Sequence, residues 1–136
     1  MPLEFTDSHC HLDQLDDSSI DTAAGVGVTT IVAVAQEADS MRAVLDLGRR
    51  FPGRVLPGLG IHPCTVTDRG ADALAPDLAL LRERAAEAAV IGETGLDHKW
   101  ATTAPQQAEQ EHLLDVHFEI AESHGKPVNL HSRRCL

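Results

Sequence analysis

Residues Val28 to Ala35 read Val-Thr-Thr-Ile-Val-Ala-Val-Ala, β-branched and almost continuously apolar. A strand with one wet face would alternate, so this run predicts a strand covered on both faces, as in the parallel sheets of α/β folds. Its surroundings agree. Leu3–Ser8 reads as a short first strand, and Asp21–Gly25 as a small helix closed by Gly25 and Gly27. After the apolar run, Asp39 or Ser40 is placed to cap a helix with Met41, Val44, Leu45 and Gly48 at helical spacing, stopped by Phe51-Pro52-Gly53. Val55–Ile61 is the third predicted strand. Leu74, Leu78 and Leu81 stripe a helix running to about Ala88, and Ala89–Glu93 is the fourth strand, with Thr94-Gly95-Leu96-Asp97 turning away from it. Pro105 suits the first turn of a long helix with Leu113, Val116, Ile120 and Ala121 inward, ended by Gly125 and Pro127. Pro127–His131 is the fifth strand.

Strand and helix alternate without linker or repeat, which predicts a parallel sheet with right-handed crossovers. Two architectures satisfy five βα steps: a small doubly wound sheet, or the first five of the eight steps of a barrel, which needs about 250 residues. The 136 residues suffice for one domain.

The chemistry-bearing residues fall where such a sheet gathers them. His9 and His11 leave the first strand two positions apart and so project from one face. His62 ends the third strand, Glu93 the fourth and His131 the fifth. The C-terminal edge of a parallel sheet is where catalytic groups converge. Imidazoles with a carboxylate suit Zn²⁺, Mn²⁺ or a similar ion, and no Cys-x-x-Cys pair suggests a structural zinc knot. Each residue also has a plainer reading. His62 before Pro63 suits a turn cap, Glu93 an ion pair with Arg or Lys, and Asp97 and His98 loop shaping without metal contact. Cys10 faces away from its two neighbours as a small buried thiol, and His112, His117 and His124 read as surface or packing residues of a helix.

Composition narrows the class. A formal net charge of −10 leaves no broad basic face for nucleic acid, although bound cations would invert the field locally. The longest apolar runs are strand-sized, well short of the roughly 20 residues of a membrane helix. Met1-Pro2-Leu3-Glu4-Phe5 offers no basic region or apolar signal core, and three cysteines (Cys10, Cys64, Cys135) make no even disulfide framework. A reduced, cytoplasmic protein is the expectation.

Four segments together resemble the successive signatures of the TatD-type metal-dependent hydrolases, in order and with near-family spacing. They are Asp7-Ser8-His9-Cys10-His11-Leu12-Asp13, Gly60-Ile61-His62-Pro63, Gly92-Glu93-Thr94-Gly95-Leu96-Asp97 and Pro127-Val128-Asn129-Leu130-His131-Ser132-Arg133. The wording around His62 and of His131-Ser132-Arg133-Arg134 is most similar to the YjjV-like branch. The resemblance implies an amidohydrolase-like TIM barrel with two divalent metal ions (Zn, Mg or Mn), acting as a DNase on phosphodiester bonds through a metal-activated water. It implies that His9 and His11 ligate one ion, that Glu93 bridges both, and that His131 binds the second. His62 and Arg133 would meet a substrate phosphate, and DNA or another phosphodiester would be the partner. The family pattern continues with a His on the sixth strand and an Asp on the eighth, beyond residue 136. The resemblance therefore implies that residues 1–136 are the N-terminal portion, a single incomplete barrel truncated at its C-terminus. The alternative is a catalytically inactive truncated paralogue that binds divalent metal or assembles with another chain. A flavodoxin-like binding module, the third reading, lacks a Gly-rich phosphate loop after the first strand.

Overall fold

The structure is a computed structural model and describes residues 3–135. Five strands, β1 (Phe5–Cys10), β2 (Val28–Val34), β3 (Val55–Leu59), β4 (Val90–Asp97) and β5 (Val128–Arg133), alternate with helices α1 (Ser18–Gly25), α2 (Ala38–Arg50), α3 (Pro63–Arg69), α4 (Ala75–Arg84) and α5 (Ala104–His124). Every strand pair is parallel, and the spatial order is β1-β2-β3-β4-β5. A doubly wound sheet reverses its direction of growth at a switch point. Here each strand adds to the same side as the last, as the staves of a barrel do, which decides between the two architectures.

The sheet is also strongly curled. In a flat sheet four interstrand steps of about 4.8 Å would hold β1 and β5 about 19 Å apart. Instead Asn129 of β5 donates from Nδ2 to the carbonyl of Ser8 in β1 at 2.9 Å. The two outer strands thus face each other across the concave side. Both are largely exposed, whereas β2, β3 and β4 are mostly buried or half-buried.

The convex side carries the core. Helix α2 buries Met41, Val44, Leu45 and Leu47, each contributing about 1.5–3 kcal/mol when fully removed from water, and turns Arg42, Asp39, Arg50 and Asp46 outward as ion pairs. Its first turn is held by the Ser40 hydroxyl, which accepts from the Gln36 and Glu37 amides at 2.7 and 2.9 Å. Helix α5 begins with Thr103 and Gln106 capping each other's backbone and ends at Gly125, in the left-handed conformation at φ 61°. Leu113, Val116, Ile120 and Ala121 face inward as expected, but two fully buried polar residues, Gln110 and His117, share that face. His117 Nε2 accepts from the Ile61 amide at 3.0 Å, while its Nδ1 donates to the Leu113 carbonyl at 2.7 Å. Gln110 Oε1 accepts from the Asp97 amide at 2.8 Å, and its Nε2 donates to Thr67 Oγ1 at 2.9 Å and the Pro63 carbonyl at 3.2 Å. Helix α5 therefore grips the C-terminal ends of β3 and β4 by their backbone.

Three elements differ from the sequence expectation. β1 runs on to Cys10, because its backbone pairs with β2 as far as Ala33. Helix α3 follows His62 where no helix was expected; at seven residues it is too short to show an apolar period. β4 continues straight through Thr94–Asp97 instead of turning away. Gly95 permits this: at φ +149° it lies against the carbonyl of His131, where a Cβ would collide. Among the described residues no helix is long and apolar enough to cross a membrane.

Candidate metal centre

The concave face gathers His9, His11, His62, Glu93 and His131 into one cluster. Glu93, 3% exposed, is at its centre. Its Oε1 lies 3.6 Å from His9 Nε2, 3.7 Å from His62 Nε2 and 2.9 Å from His131 Nδ1, and its Oε2 lies 3.3 Å from His11 Nε2. Two groups of potential ligand atoms, His9–His11–Glu93 and His62–Glu93–His131, each fall within 4.8 Å of one another and share the carboxylate. Two donors each about 2.1 Å from one tetrahedral ion lie roughly 3.4 Å apart, so the spacing suits chelation.

Hydrogen bonds to the far side of each ring sort these histidines further. An amide, carbonyl or carboxylate oxygen only accepts, so a ring nitrogen facing one must carry the proton. His9 Nδ1 lies 2.7 Å from Asn129 Oδ1, and the amide is oriented by its Nδ2 bond to Ser8. His11 Nδ1 lies 3.3 Å from the Val34 carbonyl, and His131 Nε2 lies 2.9 Å from Asp97 Oδ2. With the proton held there, His9 and His11 each turn the other ring nitrogen, Nε2, toward Glu93, whereas His131 has a carboxylate on both sides, its Nδ1 lying 2.9 Å from Glu93 Oε1. His62 is reversed. Its Nδ1 accepts from the Cys64 amide at 3.1 Å, capping α3, so a neutral ring presents Nε2–H to the cluster. Burial, foremost, holds His62 below the ordinary imidazole range and keeps it neutral. Distance alone would admit His62 as a ligand; its tautomer makes it a donor.

The Nε2 atoms of His9 and His11 and the Nδ1 of His131 thus converge on one buried carboxylate. Glu93 Oε2 is buried without a hydrogen-bond partner, and among the described residues no lysine or arginine pairs with the carboxylate. A buried carboxylate oxygen without a donor is costly unless a cation meets it. The residues fit a divalent metal.

Around the cluster, Asp97 is fully buried at the end of β4. Burial would raise its carboxyl, but hydrogen bonds from His131 and Cys64 and the charge of Arg133 outweigh this and hold it below the usual carboxylate range. Burial and then the Asp97 charge push the Cys64 thiol up to about 12, which excludes it as a thiolate nucleophile at neutral pH. Arg133 is half-exposed at the rim, its Nη1 3.7 Å from Asp97 Oδ2, and reaches the cluster only through that carboxylate. An open pocket of about 460 Å³ beside His62 is lined by Gln36, Glu37, Cys64, Thr65, Asp68 and Arg69.

The family model for TatD related DNase matches residues 6–136. The chain belongs to the TatD related DNase family. Curated TatD-family relatives include the human deoxyribonuclease TATDN3, 33% identical over 95% of this chain and 52% of that protein. They also include the Escherichia coli uncharacterized metal-dependent hydrolase YjjV, 33% identical over 98% of this chain and 52% of that protein. The chain thus spans about half the length of these relatives. The crystal structure of the Escherichia coli TatD homologue YjjV superposes with a TM-score of 0.78 at 34% identity, covering 96% of this chain and 51% of that one. A TatD family hydrolase from Entamoeba histolytica, 15% identical, shares the fold at a TM-score of 0.75 over 98% of this chain and 51% of its own. The barrel expected from the TatD resemblance is therefore the architecture found, in the part that these residues supply.

Of the residues singled out in the sequence, His9, His11, His62, Glu93 and His131 meet at one point, with Arg133 one carboxylate away. Asn129 and Asp97 were given no part in the centre, yet each orients one of its rings. Asn129 was accessible to the same rule that paired His9 with His11, since it precedes His131 by two positions on one strand.

Proposed function

We propose that this chain carries the metal centre of a hydrolase that cleaves phosphodiester bonds, with DNA as the substrate. His9, His11 and Glu93 would hold one divalent ion, and Glu93 with His131 would hold a second. The observation that supports this most is the convergence of His9, His11 and His131 on a buried carboxylate whose Oε2 has no partner. Bound cations supply Lewis acidity there, neutralising charge on phosphoryl oxygens and acidifying water.

The side chains around the ions do the rest. His62 presents Nε2–H to the cluster and donates to a phosphoryl oxygen as negative charge develops on it. Arg133 at the rim offers a planar guanidinium that meets a phosphate with two N–H groups. The pocket beside His62 accepts the part of the substrate next to the scissile bond. It is lined by Glu37 and Asp68, and its one cation, Arg69, is already paired with buried Asp77 at 2.9 Å, so it suits an uncharged portion better than a further phosphate. With a net charge of −10 over the whole chain, attraction for a polyanion comes from the centre itself.

The test combines His9→Ala with His11→Ala. Calorimetric titration with Mn²⁺ then shows one fewer ion bound, and metal-dependent cleavage of a single-stranded oligonucleotide by the full-length protein disappears. Unchanged turnover with unchanged stoichiometry would sink the assignment.

A further inference from the structure

We propose that Asp97 is a positioning residue that fixes the tautomer of His131, holding the imidazole proton on Nε2 and leaving Nδ1 free as a donor atom. The tautomer is argued from geometry alone; its consequence for metal binding rests on the ligand role given to His131 above.

His131 lies between two carboxylates that compete for its single ring proton. Glu93 Oε1 is 2.9 Å from Nδ1 and Asp97 Oδ2 is 2.9 Å from Nε2. If Glu93 held the proton, Nδ1 would be a hydrogen-bond donor and useless to a cation. Asp97 wins this competition because it is immobilised. Its Oδ1 accepts from the Lys99 amide at 3.1 Å, and its Oδ2 also accepts from Cys64 Sγ at 3.5 Å and lies 3.7 Å from Arg133 Nη1. Its backbone amide is held by Gln110 at 2.8 Å, and the parallel register of β4 and β5 sets Gly95 opposite His131 and Asp97 opposite Arg133. The carboxylate is thus held by the residue two beyond the end of β4, by the start of α3 and by β5, while α5 holds its backbone. Glu93 Oε1, by contrast, is also approached by His9 and His62 and has no such scaffold. A carboxylate on the far nitrogen of a metal-binding histidine is a recurrent means of setting tautomer and ring orientation, and replacing it by an amide reverses the ring's proton.

The experiment is ¹⁵N NMR of histidine-labelled, metal-free protein at neutral pH, with His131 assigned from His131→Gln. The native ring is expected to show a protonated Nε2 and a bare Nδ1. In Asp97→Asn the side-chain amide donates to Nε2, and the proton moves to Nδ1. Mn²⁺ affinity then falls by about 10–100-fold, and Asp97→Glu recovers part of it. A native ring protonated at Nδ1, or the same tautomer in native and Asp97→Asn protein, overturns the proposal. The native spectrum decides the matter even if the Asn variant does not fold. A reversed tautomer with unchanged Mn²⁺ affinity supports the positioning role and overturns His131 as a ligand.

Discussion

His9 Nδ1 lies 2.7 Å from Asn129 Oδ1, although the two residues are 120 positions apart and sit on strands four steps apart in the sheet. One side chain thereby orients a ring of the centre and ties β1 to β5 through its second bond to Ser8. Asn129→Leu removes both contacts. Its folding stability is expected to fall by about 1–2 kcal/mol in urea titration, and Mn²⁺ affinity by about tenfold. Asn129→Asp, which keeps the acceptor for His9 but not the donor for Ser8, is expected to retain most of the affinity while losing stability.

Protonation of His117 opposes folding. Burial pulls this imidazole down to about 4 from its ordinary 6.5, and geometry gives the reason: Nε2 accepts from the Ile61 amide, so a proton there would set two donors face to face. The unfolded chain takes up that proton at higher pH than the native one. The contribution is therefore complete above pH 6.5 and is lost as pH falls toward 4, by roughly 3 kcal/mol at about 1.4 kcal/mol per unit. Stability of the native protein and of His117→Gln, followed by chemical denaturation between these limits, should differ in slope. A native profile as flat as the variant's would contradict this account.

Gly95→Ala is expected to unseat β5. The residue holds φ +149°, and the added Cβ would meet the carbonyl of His131. Backbone strain alone costs roughly 1–3 kcal/mol, and relief requires β5 to move away from β4, carrying His131 with it. Loss of Mn²⁺ binding together with a lowered melting temperature is the expected pair of results. Intact binding at reduced stability would show that the strand moves as a whole.

The alternation of elements was legible because its signals are local: an unbroken β-branched run for β2, apolar stripes for α2 and α5, Gly125 at a helix end. The true extent of β4 was not. Thr94 and Gly95 have turn-like character in isolation, and only the approach of the His131 carbonyl shows why the glycine is there. Strand-end placement likewise brought His9, His11, Glu93 and His131 together on paper, since the C-terminal edge of a parallel sheet is a single place. What strand ends do not reveal is which ring nitrogen carries a proton. That is set by Asn129, Asp97, the Val34 carbonyl and the Cys64 amide, whose contacts exist only after the sheet has curled. His62 shows the point most clearly, since it shares the distances of a ligand and the hydrogen bonding of a donor.

Gln110 and His117 lie seven residues, about two helical turns, apart on the inner face of α5, each closing on the backbone of a different strand end. Leu113, Val116 and Ile120 would pack passably if the helix slid along its axis by one turn, because apolar contacts are forgiving of such a shift. The two polar residues would not: a slide of that size strands the Ile61 and Asp97 amides in a dry interior with nothing to accept from them. Helix α5 is thus keyed like a two-pronged plug, admitted in one axial position, and that position is the one that aligns the ends of β3 and β4 beneath the cluster.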